Sequence, residues 1–167
     1  MDKLLSLDAS TTSTGWAIFE EDKLIDYGKI CPLKSLDWRE RIAAISESLI
    51  EIIEKYKPNK IVIEDVPLKK GGMKILVQLG ACQGMIICLA EKYNIHITYI
   101  SVGSWRKYVG LFNGTVEGKT RDMLKKHSIE KANALYNLDL VWKSPKSKLN
   151  DDDISDAILI GRSIIKN

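Results

Sequence analysis

Residues 150–165 read NDDDISDAILIGRSII, with four aspartates inside seven positions at the head of an otherwise apolar segment. Part of that charge has an ordinary explanation. A helix N-terminus carries unpaired N–H groups and a partial positive charge, so Asn150 or Asp151 can cap it while Asp152 and Asp153 sit favourably in the first turn. Asp156 falls outside that account. At about 100° per residue, Ile154, Ala157, Ile158, Gly161 and Ile165 form one stripe, the expected buried face. Asp153 and Asp156, at i and i+3, lie together on its flank; Asp152 neighbours Asp156 at i+4 but is expected to point farther from the core. Two carboxylates at the edge of a buried surface repel unless a cation stands between them.

The other acids that could share such a cation are found by tracing the strands. KLLSLDAS, GWAIFEE and KLIDYGKI read as three short strands punctuated by Gly15 and the Glu21-Asp22 pair, hence an antiparallel meander. Helical spacing over Trp38–Tyr56 stops at Pro58, and NKIVIED follows as a strand buried on both faces. Met73–Tyr93 reads as a long, largely apolar helix with Gly80 and Gly84 four apart, expected to be a central core helix that can also serve a dimer interface. IHITYISV is a further strand, SWRKYVG a short helical turn, LFNGTVEGK a loop, and residues 120–135 a helix. A polar, lysine-rich loop then leads to the acidic helix.

In the order βββαβαβαα, Asp8 ends the first strand and Glu64 ends the fourth. If those strands are adjacent and parallel, both carboxylates emerge on one edge of the sheet, where the last helix adds Asp153 and Asp156. Four converging carboxylates make an all-oxygen site, which suits Mg²⁺ or Mn²⁺ and suits zinc poorly.

Length and composition agree with one well-buried domain and a basic surround. A chain of 167 residues is expected to form a single domain over 1–167. Cys31, Cys82 and Cys88 have no metal-ligand spacing, which argues for a reducing compartment. No run is expected to reach membrane-spanning length, so the protein reads as soluble and intracellular. There are 25 lysines and arginines against 22 acids, and with those four acids set aside the balance is 25 against 18. Much of the surplus lies at Lys69, Lys70, Lys74, Arg106, Lys107, Lys119, Arg121, Lys125, Lys126, Lys143, Lys146 and Lys148. Clustered lysines by themselves mean only a solvated face.

Together these pieces resemble the RuvC family of Holliday-junction resolvases, in the RNase H-like superfamily. The likeness runs through LDASTTSTGWAIF, IVIEDV, LVQLGACQGMIICLAEK, VGSWRKYVG, GTVEGKT and DDDISDAILIG, in that order. It implies a mixed five-stranded α/β sheet, strands 4 and 5 parallel to strand 1, flanked by helices. It implies that Asp8, Glu64, Asp153 and Asp156 hold two Mg²⁺ ions, with Mn²⁺ able to substitute. It further implies in-line hydrolysis of a phosphodiester to 5′-phosphate and 3′-hydroxyl ends, Lys119 steadying the phosphate, and a homodimer that matches a four-way junction. Lys69, Lys70, Lys74, Arg106, Lys107, Lys119 and Arg121 are the expected DNA contacts.

One departure matters. Many cellular members carry an aromatic residue shortly after the strand-four glutamate, whereas this chain reads Glu64-Asp65-Val66-Pro67-Leu68. Cutting of three-way and fork structures, with mild sequence dependence, is therefore expected. Richness in Lys, Ile and Asn agrees with an AT-rich genome, and the divergence with a bacteriophage member acting in host cytoplasm. Three rivals stand beside this reading. LDASTTSTG resembles the phosphate loop of sugar-kinase and actin-like ATPases, which need two such domains. A non-cleaving branched-DNA binding protein could lose the acids, which are all present. An RNase H-like hybrid nuclease would share them.

Overall fold

Alternation along the first strand sorts its side chains onto two faces, and the two hydrophobic cores follow from that sorting. In the computed structural model, which describes residues 2–66, 72–112 and 120–165, β1 (Lys3–Asp8), β2 (Thr14–Glu20), β3 (Lys23–Ile30), β4 (Lys60–Glu64) and β5 (His96–Ile100) form one sheet of order β3-β2-β1-β4-β5. β1, β2 and β3 run as an antiparallel meander, and β4 and β5 are parallel to β1. The fold is the mixed RNase H-like sheet expected from the sequence.

Leu5 and Leu7, with Ile18, Ile61 and Ile63, pack against α1 (Trp38–Tyr56) and α2 (Met73–Tyr93). Leu4, Ala17, Phe19 and Val62 point to the opposite face, where α5 (Asp152–Ile165) lies with Trp105 of α3 (Val102–Tyr108) and Ala132 of α4 (Arg121–Tyr136). By the period of two, Ser6 and Asp8 share the α5 face with Leu4, and Glu64 shares it with Val62. Leu7 pairs with Ile63, so the next residues, Asp8 and Glu64, leave the sheet side by side.

The helix boundaries have local causes. Asp37 and Glu40 form a reciprocal capping box on α1, and Lys57 ends it in the left-handed conformation just before Pro58. Glu21, at φ 55°, turns the β2–β3 hairpin.

Two expectations are corrected here. The buried stripe foreseen on α5 is too narrow: Asp152, Ser155, Leu159, Ile160 and Ser163 are buried as well. The sheet covers one side of α5 and α4 the other, so only Asp153, Arg162, Ile164 and Ile165 stay partly open along it. And α2 is not a core helix throughout. Its buried residues, Cys82, Ile86, Leu89 and Ala90, begin only at its middle, while Met73, Ile75 and Val77 are exposed. Contrary to the sequence expectation, α2 is by length and composition apolar enough to cross a membrane, and 22% of its most apolar window is buried. The scattered polar residues Lys74, Gln78 and Gln83 had hidden how apolar the whole run is.

Candidate active site

Two glycines let α5 come close enough to deliver its carboxylates. A Cβ on Gly15, which pairs with Asp8 across the β1–β2 hairpin, would lie 1.8 Å from the Asp153 carbonyl oxygen. One on Gly161 would lie 2.3 Å from Phe19 and 2.7 Å from Ser6 Oγ. Ser6 in turn donates from Oγ to the Ala157 carbonyl at 2.7 Å, fixing α5 against β1 from inside the core.

Asp8, Glu64, Asp153 and Asp156 are thereby brought to one edge of the sheet, as the sequence predicts. Burial pushes the Asp8 carboxyl well above its ordinary range, and the charges of Asp156, Glu64, Asp153 and Asp152 push it further in the same direction. Burial likewise raises Asp153, with a hydrogen bond from Ser13 pulling the other way. The loop carrying Ser13 is fixed by its own hydroxyls: Ser10 Oγ donates to the Ser13 carbonyl at 2.7 Å, and Thr14 Oγ1 donates to the Ser10 carbonyl at 2.8 Å. Asp156 is raised to about 7, chiefly by burial, against the opposing pull of Ser128 and Arg106.

Several side chains hold these acids that the sequence reading did not single out for the site. Trp105 is fully buried, and its Nε1 donates to Glu64 Oε2 at 2.7 Å. Ser128 Oγ donates to Asp156, and Ser155 Oγ donates to Ser128 Oγ at 3.0 Å, so a hydroxyl relay backs that carboxylate. Ser128 and Lys125 are three apart on α4, and that spacing was the only available sign that one face of α4 meets α5.

Asp152 is the clearest correction. It does not point away: it is 6% exposed and ion-paired with Lys125 of α4. The helical wheel placed it beside Asp156 but could not show that α4 covers that side. The side chains of Asn150 and Asp151, the expected caps of α5, bond to the strand and loop beside it. Asp151 accepts from Lys29 Nζ at 2.9 Å and from the Val141 N–H at 3.0 Å. Asn150 accepts from the Lys143 N–H at 2.8 Å and donates to the Ser144 carbonyl at 2.9 Å.

Among the basic candidates, Arg106 is drawn into the cluster. Its Nη2 is 3.9 Å from Asp156 Oδ2, its guanidinium lies 5.1 Å from the Trp105 ring centroid, and its Nε is buried with no hydrogen-bond partner among the described residues. Lys74, Lys107 and Arg121 are exposed on α2, α3 and α4. Lys69, Lys70 and Lys119 lie outside the described residues, as do Pro67 and Leu68 of the expected departure after Glu64.

Among the described residues no three acids are gathered tightly enough to enclose one ion. The donor chemistry nonetheless fits a hard divalent cation. The acids are oxygen donors on a rigid sheet edge, and the charged groups acting most strongly on Asp8 are all acids that oppose its ionisation. A divalent ion would supply the compensation that the neighbouring side chains do not.

Comparison with known proteins extends the geometry. Residues 1–164 match a family described as "Lactococcus phage M3 protein". The chain is 24% identical over 161 residues to the crossover junction endodeoxyribonuclease RuvC of Halothermothrix orenii, covering 94% of this chain and 88% of that one. It is 28% identical over 100 residues to the RuvC of Fusobacterium nucleatum, a match that spans 58% of this chain and about half, 52%, of the relative. Among solved structures, Thermus thermophilus RuvC in complex with Holliday junction substrate superposes with a TM-score of 0.73 at 12% identity, covering 98% of this chain and 92% of that one. The Fowlpox virus resolvase in complex with substrate Holliday junction DNA gives a TM-score of 0.53 at 18% identity, covering 96% of each chain. The chain belongs to the family described as "Lactococcus phage M3 protein", and its sequence relatives and its fold are those of the RuvC crossover junction endodeoxyribonucleases.

Proposed function

We propose that this protein is a divalent-metal-dependent endonuclease that resolves Holliday junctions and other branched DNA, a single nuclease domain over 1–167. The observation that carries the reading is the convergence of Asp8, Glu64, Asp153 and Asp156, desolvated and mutually repelling, at the edge of an RNase H-like sheet. Those four would hold two Mg²⁺ ions, with Mn²⁺ as substitute. Bound there, the metals would supply activation of a water and neutralisation of charge on the departing 3′ oxygen, which would leave 5′-phosphate and 3′-hydroxyl ends.

The chain's own residues position that chemistry. Trp105 orients Glu64, and Ser128 orients Asp156. Arg106, whose guanidinium lies beside Asp156 and whose Nε has no partner among the described residues, is assigned to the scissile phosphate. Lys119 is assigned to the same phosphate, and Lys69, Lys70, Lys74, Lys107 and Arg121 to the backbone of the junction arms.

A four-way junction presents two nearly equivalent strands, and paired cuts call for two sites related by a dyad, so we read the protein as a homodimer. The exposed apolar part of α2 supports this. Met73, Ile75 and Val77 are uncovered there, and Gly80 and Gly84 have open space where a Cβ would sit, leaving room for a second helix to approach closely. The site of action is the cytoplasm, that of the host for a phage-encoded protein.

The test is to incubate the protein with labelled four-way, three-way, flap, linear duplex and RNA·DNA hybrid substrates in Mg²⁺, Mn²⁺ and EDTA. Cutting of branched DNA that EDTA abolishes is expected. Binding without cutting would make it a branched-DNA binding protein, and cutting confined to the hybrid would make it a ribonuclease H-like enzyme.

A further inference from the structure

Between the first turn of α4 and the loop that precedes α5 lies a cavity of about 480 Å³, lined by Arg121, Asp122, Lys125, Lys146, Ser147 and Asn150. We infer that it seats a DNA backbone phosphate beside the scissile one, gripped by Arg121, Lys125 and Lys146, with Asp152 positioning Lys125. The inference rests on the nuclease reading above and adds to it a subsite and a positioning residue.

The charge of the lining comes first. Three cations face one acid, Asp122, and no salt bridge ties Arg121 or Lys146 to a carboxylate among the described residues. Lys125 is the exception, and its partner gives it a place in the mechanism. It reaches from the cavity wall to Asp152, which neighbours Asp156 at i+4 on α5. One lysine side chain therefore spans from the cavity to the acidic cluster, as a group holding the phosphate next to the reacting one would have to do. The pairing also restrains Lys125 before DNA arrives, which lowers the entropy lost on binding.

The walls are built rather than incidental. Asn150 is buried and clasps the loop through its bonds with Lys143 and Ser144. Lys146 sits at φ 62° in the turn closed by the Ser147 N–H on the Ser144 carbonyl, so its side chain leaves a fixed backbone. On the facing wall, Thr120 contributes no side-chain cap to α4, and the amides of its first turn add partial positive charge to the same space. An arginine fork, two lysines, a serine hydroxyl and oriented amides are a phosphodiester's complement.

The test measures junction binding in EDTA, where cutting plays no part, and single-turnover cleavage in Mg²⁺. Arg121→Ala and Lys146→Ala are each expected to weaken junction binding roughly tenfold at low salt and to flatten the log–log salt dependence by about 0.9 for the lost phosphate contact. Asp152→Asn and Lys125→Met are expected to slow cleavage of bound junction by at least tenfold, and the double variant to be no worse than either single one. Junctions carrying one neutral methylphosphonate linkage, moved stepwise past the cut, supply a readout that mere misfolding would not give. At one linkage flanking the cut the wild type should lose affinity while Lys146→Ala loses none, and Lys146→Arg should recover most of the wild-type response. The subsite is overturned if no linkage couples to Lys146 or Arg121, or if the variants keep the wild-type salt slope. A wild type that binds junctions but cuts nothing overturns the nuclease reading and leaves the binding arm to decide the subsite; a wild type that binds no DNA overturns both.

Discussion

Glu64 and Asp156 are held by neutral or cationic donors in advance of any metal, and that preorganisation can be separated from the ligating role. Asp8→Asn, Glu64→Gln, Asp153→Asn and Asp156→Asn should each reduce junction cleavage by at least a thousandfold while binding is kept or tightened, since a repulsive charge near the phosphates is removed. Gel shift and single-turnover cleavage on the same preparations check this. Trp105→Phe should behave differently. The ring still fills the core, but the N–H to Glu64 is lost. We expect stability within about 1–2 kcal/mol of wild type, from the one lost hydrogen bond to a charged group. Mn²⁺ affinity by calorimetry should fall several-fold, with cleavage rescued at high metal concentration. A variant that folds normally yet binds Mn²⁺ like wild type would remove Trp105 from the site.

At the scale of elements, the approach of α5 to the β1–β2 hairpin governs whether the acids meet at all. Gly15→Ala inserts a methyl where the Asp153 carbonyl stands 1.8 Å away, so either the hairpin or the helix must move. A loss of about 1–3 kcal/mol, the usual cost of overpacking, and a larger proportional loss of cleavage are expected. Thermal melts beside activity assays separate the two. The other element under test is α2. Replacing the exposed Ile75 and Val77 together by lysine should leave the monomer fold intact, because neither packs in the core. It should shift sedimentation from dimer to monomer at micromolar concentration and uncouple the paired cuts on a four-way junction. A wild type that is monomeric with and without DNA would refute the assigned face.

For the whole molecule, the buried acids link stability to pH. Asp156 has its folded pKa raised to about 7 from 3.8. Between those values the native state retains a proton that the unfolded chain has released, so stability falls as pH rises through that window. Without metal, the melting temperature should therefore drop by several degrees between pH 5 and pH 8, at about 2–4 °C per kcal/mol for a protein of this size. Mg²⁺ or Mn²⁺ should restore more of it at pH 8 than at pH 5, since binding favours the ionised carboxylates. Asp8, raised by the same burial, contributes in the same sense, so Asp156→Asn should make the profile shallower in EDTA without levelling it. An unchanged slope in that variant would mean that other groups set it.

The strand meander and the acids at the ends of β1 and β4 were legible from short apolar runs, the turn residues between them and a terminal residue, whereas the parallel pairing of β1 with β4 was only implied by the family resemblance. The i, i+3 placement of Asp153 and Asp156 was legible from the helical period in the same way. What these periods cannot show is which surfaces other elements cover. Asp152 is buried because α4 lies over the side of α5 that a helical wheel assigns to solvent, and Lys125 meets it there only through that packing. The same holds for Trp105, which sits forty-one positions from Glu64 yet within hydrogen-bonding distance of it. The exposed half of α2 was obscured for the opposite reason, since an apolar run looks the same whether its partner is the chain's own core or a second molecule. The sequence by itself therefore determined the strands, the helices and the chain positions of the four carboxylates, through local pattern, and implied the sheet order through the family resemblance. Only the tertiary structure decided what holds those carboxylates and where the cations stand around them, because those contacts arise between segments whose separation along the chain carries no periodic signal.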